Sequence, residues 1–290
     1  MTDTFVKNDL RWPRCPVCGD ADIYEAGKIP IAGEIKYSTH SIRLERAPEI
    51  WKCRGCESWF TQNAIPKETS ELLYASGDSG TRWTAEPFEK AKNSELTREF
   101  DRNVGAGCRL LDIGCSTGLL LDYAKKRGAT TFGMDFSEAC GAQVTGKEHR
   151  FAMSLSEFSD EQFDVITAFD VIEHVYDLAG FLRSSARMLR PGGKLIVLTG
   201  DIGCIGARLC RNRWWYLQYP EHIVFPSHKF FETRLEQLRL ERTVRTYASI
   251  GYRVPLLSAL RASLSLAMDG RYEGLPSLGP DHMLLTLSHE

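Results

Sequence analysis

The stretch LLDIGCSTG, residues 110–118, decides the fold of this 290-residue chain. Two leucines lead into an acidic residue and then into a turn with two glycines. A helix is predicted directly after it, over 119–127, and Gly128 ends that helix. A glycine-rich turn between a buried strand and a helix indicates a ligand that lies against the backbone.

Strand and helix signals alternate along the chain after this turn. Predicted strands cover 109–113, 130–135, 163–169 and 194–199, and a helix is predicted from Val171 through Leu189. Such alternation is typical of a parallel sheet with helices on both faces. The sequence therefore predicts an α/β domain whose ligand lies at the carboxyl ends of the strands.

Two acidic residues indicate which ligand that is. Asp135 ends the strand after the turn, where a carboxylate binds ribose hydroxyls. The turn is not a dinucleotide fingerprint, because Ser116 stands where the second glycine is needed. Asp112 would repel a phosphate, whereas it suits an amino group. S-adenosylmethionine has a ribose and an ammonium but no phosphate, and it fits both residues.

The segments LLDIGCSTGLLL, GMDFS, FDVITAFDVIEHV and LRPGGKLIVLT resemble the successive motifs of class I S-adenosylmethionine-dependent methyltransferases. The resemblance covers about residues 107–250 and departs at Ser116, where many members have glycine. It implies a Rossmann-like seven-stranded sheet that closes with an antiparallel strand at 282–287 beside 243–249.

The same resemblance implies the cofactor-binding residues. The methionine end would lie near the turn, the ribose at the second acidic residue, and the adenine between two flanking segments. Phe169 and Asp170 would line the sulfonium end. The residues implied are Asp112, Gly114, Cys115, Ser116, Gly118, Asp135, Phe136, Ser154, Leu155 and Phe169.

Two cysteine pairs stand near the N-terminus, Cys15-Pro-Val-Cys18 and Cys53-Arg-Gly-Cys56. Each C-x-x-C turn can present two sulfurs to one ion, and two such turns complete a closed four-sulfur zinc site. Gly19 and Gly55 would supply the freedom these turns need. Disulfides, unligated thiols and a redox role are the alternatives. The other five cysteines are interpreted as packing residues.

The predicted organisation has three parts. Residues 1–65 form a small zinc-ribbon-like module with strands at 29–31 and 42–44. Residues 66–106 form a linker and an N-terminal lid helix, the latter over 86–103. Residues 107–290 form the methyltransferase domain. A helix at 255–268 is interpreted as covering the sheet or the active site, with a homodimer face as the alternative.

The segment QYPEHIVFPS, residues 218–227, carries the predicted catalytic group. The layout resembles sugar C-methyltransferases of antibiotic pathways, which also carry a four-cysteine zinc module. They have Tyr, Glu and His at the positions of Tyr219, Glu221 and His222, and the histidine is taken as the base. Those enzymes have a further C-terminal domain, for which we expect no counterpart in this sequence. The alternative for His222 is a loop residue that holds the lid. His228 is interpreted as a helix cap.

Two further groups have alternative interpretations. Asp170, Glu173 and His174 resemble a metal-binding trio of some quinone-pathway O-methyltransferases, or they support the site without metal. Three arginines, 208, 211 and 213, precede Trp214-Trp215-Tyr216. They would hold an anionic acceptor, or form an exposed face above buried aromatic rings.

Charge and hydropathy limit the function classes. Lys plus Arg total 36 against 38 for Asp plus Glu, a formal net charge of −2, which gives no general attraction to nucleic acid. The N-terminus lacks a secretory pattern, and no run of 18 apolar residues occurs, so we expect a cytoplasmic protein without a membrane span. The sequence predicts a small-molecule methyltransferase acting on oxygen or carbon, with a nucleotide-linked or polymer sugar as candidate acceptor. The alternative is an RNA methyltransferase that uses the zinc module for binding.

Overall fold

A computed structural model describes residues 4–30, 34–77, 95–218, 220–235, 240–246 and 281–289. The strands in chain order are β1 Thr4–Val6, β2 Ile23–Lys28, β3 Ile35–Tyr37, β4 His40–Leu44, β5 Glu49–Cys53, β6 Trp59–Gln62, β7 Arg109–Ile113, β8 Thr130–Met134, β9 Arg150–Ala152, β10 Phe163–Phe169, β11 Leu189–Gly200, β12 Val224–Phe225, β13 Leu240–Thr246 and β14 His282–His289. The described α-helices are α1 Lys67–Ala75, α2 Glu95–Asn103, α3 Leu119–Lys126, α4 Glu138–Gly146, α5 Leu178–Met188, α6 Ile205–Cys210 and α7 His228–Thr233.

The largest sheet has seven strands in the order β13-β14-β11-β10-β7-β8-β9. The five strands from β11 to β9 are parallel, and β14 runs antiparallel to both β11 and β13. The predicted mixed α/β fold with a large, mostly parallel sheet is confirmed. β13, the predicted partner of β14, ends at Thr246, so residues 247–249 of the predicted strand lie outside the described residues.

The central strands are apolar on both faces because helices cover both faces. Val165 packs into a cluster with Phe100 of α2 and Leu121 of α3, whereas the next residue, Ile166, packs on the opposite side with Leu182 of α5. This alternation of direction along β10 explains its continuous hydrophobic run.

Two smaller sheets lie N-terminal to the large one. The first has the order β1-β4-β3, and the second has the order β12-β6-β5-β2. β12 lies more than 160 residues after β6 in the sequence and pairs antiparallel with it. Val224 is opposite Phe60, and Phe225 is opposite Trp59. The N-terminal segment, which comprises β1–β6, is therefore joined to the connection that follows β11.

Several predicted elements differ in their bounds. The helix predicted over 171–189 is divided into a short 3₁₀ turn, Ile172–His174, and α5. A new helix starts after Asp177, because the Asp177 carboxylate accepts the backbone N–H of Gly180 at 2.9 Å and caps α5. The strand predicted at 29–31 is wrong in position, since β2 ends at Lys28 and residue 31 lies outside the described chain.

The region from 66 to 106 contains more structure than a linker. α1 occupies its start, and residues 78–94 lie outside the described chain. α2 is the described part of the predicted lid helix. It packs on the sheet, where buried Glu99 accepts a 2.8 Å hydrogen bond from Thr286 of β14, so this part covers the sheet and not the site. The predicted helix at 255–268 also lies outside the described residues.

Over the described ranges, every helix is too short or too polar to cross a bilayer. The longest of them, α5, has 11 residues.

Candidate active site

The glycine-rich turn joins the carboxyl end of β7 to α3. Three of its residues have left-handed backbone conformations, Gly114 (φ 75°), Ser116 (φ 46°) and Gly118 (φ 79°). A Cβ on Gly114 would lie 2.6 Å from Val171 Cγ2, so this position combines a turn requirement with a close approach. The backbone of the turn is thus brought against the strand end without side chains in between.

Asp112 lies at the floor of this turn. It is 5% exposed, and its Oδ1 accepts a hydrogen bond of 2.7 Å from Thr167 Oγ1 on β10. Burial raises its pKa to about 7, the Thr167 bond lowers it, and the nearby Asp135 carboxylate raises it. A positive group beside Asp112 would offset this burial cost.

Asp135 follows β8 and faces the same turn. Its Oδ2 accepts the Ser116 backbone N–H at 2.9 Å, and its Oδ1 accepts that of Ser137 at 2.9 Å. Burial raises its pKa despite these bonds. The Ser116 hydroxyl is buried and has no hydrogen-bond partner among the described residues. A buried hydroxyl without a partner indicates a polar group that the chain itself does not supply.

The segments predicted to flank adenine carry exposed apolar side chains. Phe136 is 43% exposed and Met153 is 36% exposed, so both side chains are accessible to a ligand. Ser154 caps the 3₁₀ helix Leu155–Phe158, in a capping box with Glu157. Leu155 and Phe169 are partly buried against the core.

A buried polar network lies at the carboxyl ends of β10 and β11. Fully buried Glu173 accepts hydrogen bonds from Thr199 Oγ1 (2.9 Å) and from the Tyr216 hydroxyl. Burial raises the pKa of this carboxyl group, and the Tyr216 bond opposes the rise. Glu173, His174 and His222 each offer one potential ligand atom within 4.8 Å of the others. The cluster found in the structure therefore includes His222 and not Asp170, contrary to the predicted trio.

Hydrogen bonds fix the tautomers of the two histidines. His222 Nδ1 donates to the Tyr216 carbonyl at 2.8 Å, and His174 Nδ1 donates to the Glu221 carbonyl at 3.0 Å. A carbonyl only accepts, so both Nδ1 atoms carry a proton, and in the neutral rings the lone pair is on Nε2. The ring centroids lie 4.8 Å apart. His222 is 7% exposed, and His174 is more accessible.

The loop that carries His222 is attached to the N-terminal segment. The Glu221 carboxylate accepts the Ser38 backbone N–H at 2.8 Å, and Thr61 N–H donates to the Ile223 carbonyl at 2.8 Å. Thr61 Oγ1 donates to the His222 carbonyl at 3.3 Å. The loop position thus depends on β6 and on the segment around Ser38.

The four N-terminal cysteines converge. The Sγ atoms of Cys15 and Cys56 lie 3.8 Å apart, those of Cys18 and Cys53 lie 3.6 Å apart, and all four fall within 4.8 Å of one another. Zinc–sulfur bonds of about 2.3 Å in a tetrahedron imply sulfur pairs roughly 3.8 Å apart. The donor set and spacing therefore fit one tetrahedral zinc ion.

Both cysteine turns have the same backbone pattern. Gly19 N–H donates to the Cys15 carbonyl at 2.8 Å, and Glu57 N–H donates to the Cys53 carbonyl at 3.0 Å. Gly19 (φ 79°) and Glu57 (φ 61°) are both left-handed. The expected role of Gly55 is corrected: Glu57 adopts the left-handed conformation, and a Cβ at Gly55 would lie 2.2 Å from Asp20 Oδ2, so that side chain would have to move.

Other predicted residues have different partners from those expected. The cap of α7 is Ser227, and His228 instead pairs with Asp201 at 2.8 Å. Tyr219 lies outside the described residues. Tyr216 orients His222 through its carbonyl, a role that sequence cannot indicate because any residue has a carbonyl.

The sequence does not indicate a further acid–base group, in which Asp281 and His282 are buried and Asp170 is about half exposed. His282 Nδ1 lies 2.7 Å from Asp281 Oδ1, and its Nε2 lies 3.6 Å from Asp170 Oδ1. Trp215 Nε1 donates to the other Asp281 oxygen at 3.0 Å. The Asp-His pair at 281–282 was the available signal, but nothing in the sequence connects it to Asp170.

Comparison with known proteins gives a family match and partial relatives. The profile of a family described as "Methyltransferase domain" matches residues 83–241. The ubiquinone biosynthesis O-methyltransferase of Ruegeria pomeroyi is 39% identical over 120 residues, 36% of this chain and 48% of that protein. The enzyme of the same name from Pseudomonas fluorescens is 39% identical over 111 residues, 34% of this chain and 48% of that protein. The match spans about half the length of these relatives.

A solved structure has a similar fold. The crystal structure of a SAM-dependent methyltransferase from Archaeoglobus fulgidus aligns with a TM-score of 0.51, covering 72% of this chain and 97% of that one. At 18% identity the likeness concerns the fold alone.

Proposed function

Because the chain belongs to the methyltransferase-domain family and is a class I S-adenosylmethionine-dependent methyltransferase, we propose that it methylates an oxygen or carbon atom of a small-molecule acceptor. The observation that carries this proposal is the buried Glu173–Tyr216–His222 network at the strand ends, which provides a basic nitrogen in an enclosed polar environment. The names of the partial relatives also favour a small molecule and an oxygen acceptor.

The cofactor would lie along the turn and the end of β8. S-adenosylmethionine supplies the methyl group when bound. Asp112 would hold the ammonium, Asp135 the ribose hydroxyls, and the exposed faces of Phe136 and Met153 would contact the adenine. The unpartnered Ser116 hydroxyl is consistent with a polar ligand at this turn.

Replacement of Asp135 by alanine should weaken binding of S-adenosylhomocysteine by roughly 10- to 100-fold. The basis is the loss of charge-assisted hydrogen bonds of about 1.5–3 kcal/mol. Calorimetry on the wild type and on Asp135→Ala checks this. Unchanged affinity in Asp135→Ala would remove the ribose assignment, and no binding by the wild type would contradict the cofactor site.

Cofactor affinity should also fall at acidic pH. The pKa of Asp112 is raised to about 7, so in the free protein this group becomes protonated as pH falls through that value. An ammonium binds the carboxylate form, so affinity should decrease by up to roughly tenfold per pH unit below about pH 7. Titrations of S-adenosylhomocysteine between about pH 8 and pH 6 measure the effect.

Asp112→Asn is the control for this pH dependence. It should bind more weakly at the alkaline end and lose most of the slope. A slope that persists in Asp112→Asn would assign the titration to another group.

We assign the base to His222 and orientation of its loop to the N-terminal segment. The Nε2 lone pair would accept the acceptor proton, while the Tyr216 carbonyl keeps the ring in one tautomer. One structural zinc ion on Cys15, Cys18, Cys53 and Cys56 would stabilise the segment that anchors the loop. An ion held by all four cysteines would have no open position, so it would take no part in the chemistry.

Acceptor screening with labelled S-adenosylmethionine tests the proposed function. Phenolic and sugar acceptors, the latter free and nucleotide-linked, would be compared with RNA. Transfer to a small molecule is the expected result. Transfer to RNA alone would favour the alternative, in which the N-terminal segment binds nucleic acid.

A further inference from the structure

A cleft of about 630 Å³ lies between the N-terminal segment and the part of the chain after β11. One wall is formed by Tyr24, Lys52 and Trp59, and the other by Gly203, Arg208 and Lys229. The volume falls in the range of small-molecule sites, roughly 300–1,000 Å³. The cleft is separate from the glycine-rich turn and from His222.

Cations outnumber acids in this cleft. Lys52, Arg54, Arg208 and Lys229 line it, and Glu57 is its one acidic residue among those described. Lys229 pairs with Glu57 at 3.0 Å, and Arg54 pairs with Asp22 at 3.4 Å. In the described part of the chain, no carboxylate lies within 4.0 Å of the Lys52 or the Arg208 side chain.

Aromatic rings hold two of these cations in place. Lys52 Nζ lies 3.9 Å from the centroid of the Trp59 ring, and the Arg54 guanidinium lies 4.4 Å from that of Tyr24. Trp59 is buried and bonded into the sheet opposite Lys52 and Phe225, so its ring is a fixed support. Cation–π contact orders the charge without neutralising it. Lys52 and Arg208 therefore remain available to an anion, whereas Arg54 and Lys229 already pair with carboxylates.

The cleft adjoins the sheet edge that carries the candidate active site. Ile202 and Gly203 follow the carboxyl end of β11 directly. Asp201 connects the two sites, because its N–H donates to the Asp281 carbonyl at 2.8 Å and its carboxylate pairs with His228 in the cleft wall. Asp281 in turn contacts His282, beside Asp170.

We infer that this cleft binds a phosphate or diphosphate group, carried by a small acceptor whose other end reaches the methyl-transfer site; the acceptor half of this inference rests on the proposed function. Phosphate oxygens suit a converging Lys and Arg set, since they accept several charge-assisted hydrogen bonds at once. The net charge of −2 gives the chain no general attraction to nucleic acid, which favours a small phosphorylated molecule in this cleft.

Binding of inorganic pyrophosphate to the full chain, measured by calorimetry at low salt, tests the inference. The wild type should bind saturably. Lys52→Met and Arg208→Gln should each raise Kd roughly tenfold, and the double variant about a hundredfold. Methionine keeps the stem on Trp59, and Arg208 is exposed, so neither change should unfold the chain. Arg183→Gln, on the exposed side of α5, is the matched control and should bind like wild type.

The same samples separate this inference from the cofactor assignment. S-adenosylhomocysteine affinity should be equal in all five proteins, so its loss would concern the proposed function alone. Equal pyrophosphate affinity in the wild type and the double variant, or no saturable binding, overturns the cleft assignment.

The source of the phosphate is decided by competition. Inhibition of methyl transfer by pyrophosphate, competitive with the acceptor and absent in the double variant, indicates a phosphorylated acceptor. Binding without such inhibition supports a phosphate site for a separate small ligand. If a short single-stranded RNA binds more tightly than pyrophosphate and loses affinity in the double variant, the cleft is a nucleic-acid site. The proposal of a small phosphorylated molecule is then overturned.

Discussion

Changing His222 to alanine should lower turnover by roughly 10² to 10⁴, the usual range for loss of a general base. Affinity for S-adenosylhomocysteine should stay close to that of the wild type, because His222 lies apart from the glycine-rich turn and from Asp135. Nδ1 donates to the Tyr216 carbonyl, so in the neutral ring the basic lone pair belongs to Nε2. Single-turnover rates with labelled cofactor, on an acceptor found by screening, are the measurement.

His174→Ala is the matched comparison for this variant. His174 has the same tautomer and a neighbouring ring, but its Nδ1 bond to the Glu221 carbonyl supports the loop. Its loss should reduce the free energy of unfolding by about 1–3 kcal/mol, the cost of a buried unpaired carbonyl, with a smaller effect on rate. Wild-type turnover in His222→Ala, or a larger rate loss in His174→Ala, would transfer the role of base to another residue.

A second large effect is expected from Cys53→Ser. Metal affinity should fall far below that of the intact site, since zinc contributes about 10–16 kcal/mol in small four-ligand zinc peptides. The expected result is near one equivalent of zinc in the wild type and far less in the variant. Turnover should fall with it, while the glycine-rich turn, formed by separate strands, keeps S-adenosylhomocysteine binding.

The reason for the lost turnover lies in β6. The strand follows the Cys53–Cys56 turn directly and pairs with β12, two residues after His222. Ser227 donates to the Cys56 carbonyl as well, so β6 and the cysteine turn both hold the segment that follows His222. Cys210→Ser, outside the four-sulfur cluster, should retain zinc and activity. Full zinc content in Cys53→Ser would refute the ligand set.

Much of the α/β part could be predicted because its signals are local. The buried strands at 109–113 and 163–169 are continuous apolar runs, and the turn at 112–118 contains its own glycines. The apolar periodicity runs across the break between Ile172–His174 and α5, so the sequence pattern does not indicate this break. The helix restarts there because the Asp177 side chain accepts the Gly180 N–H and caps α5.

The candidate site was predicted less completely. The sequence could indicate Asp112, Asp135 and His222 as chemical types near strand ends. It could not indicate that the Tyr216 carbonyl orients His222, or that Ser38 binds Glu221 across 183 positions. Those contacts depend on how the N-terminal segment packs on the loop. The pattern of side chains along a sequence does not indicate a backbone partner that lies so many residues away.

The pairing of β6 with β12 also has a consequence for biosynthesis. The N-terminal sheet leaves the ribosome with β6 as an open edge, and its partner follows after residue 223. Translation proceeds at about 5–20 residues per second, so this edge stays unpaired for roughly 8–30 s until β12 has been synthesised. An unpaired edge strand can pair with other chains. Nascent chains that stop before residue 224 should therefore be the species of this protein most dependent on chaperones, even when all four cysteines have already been made.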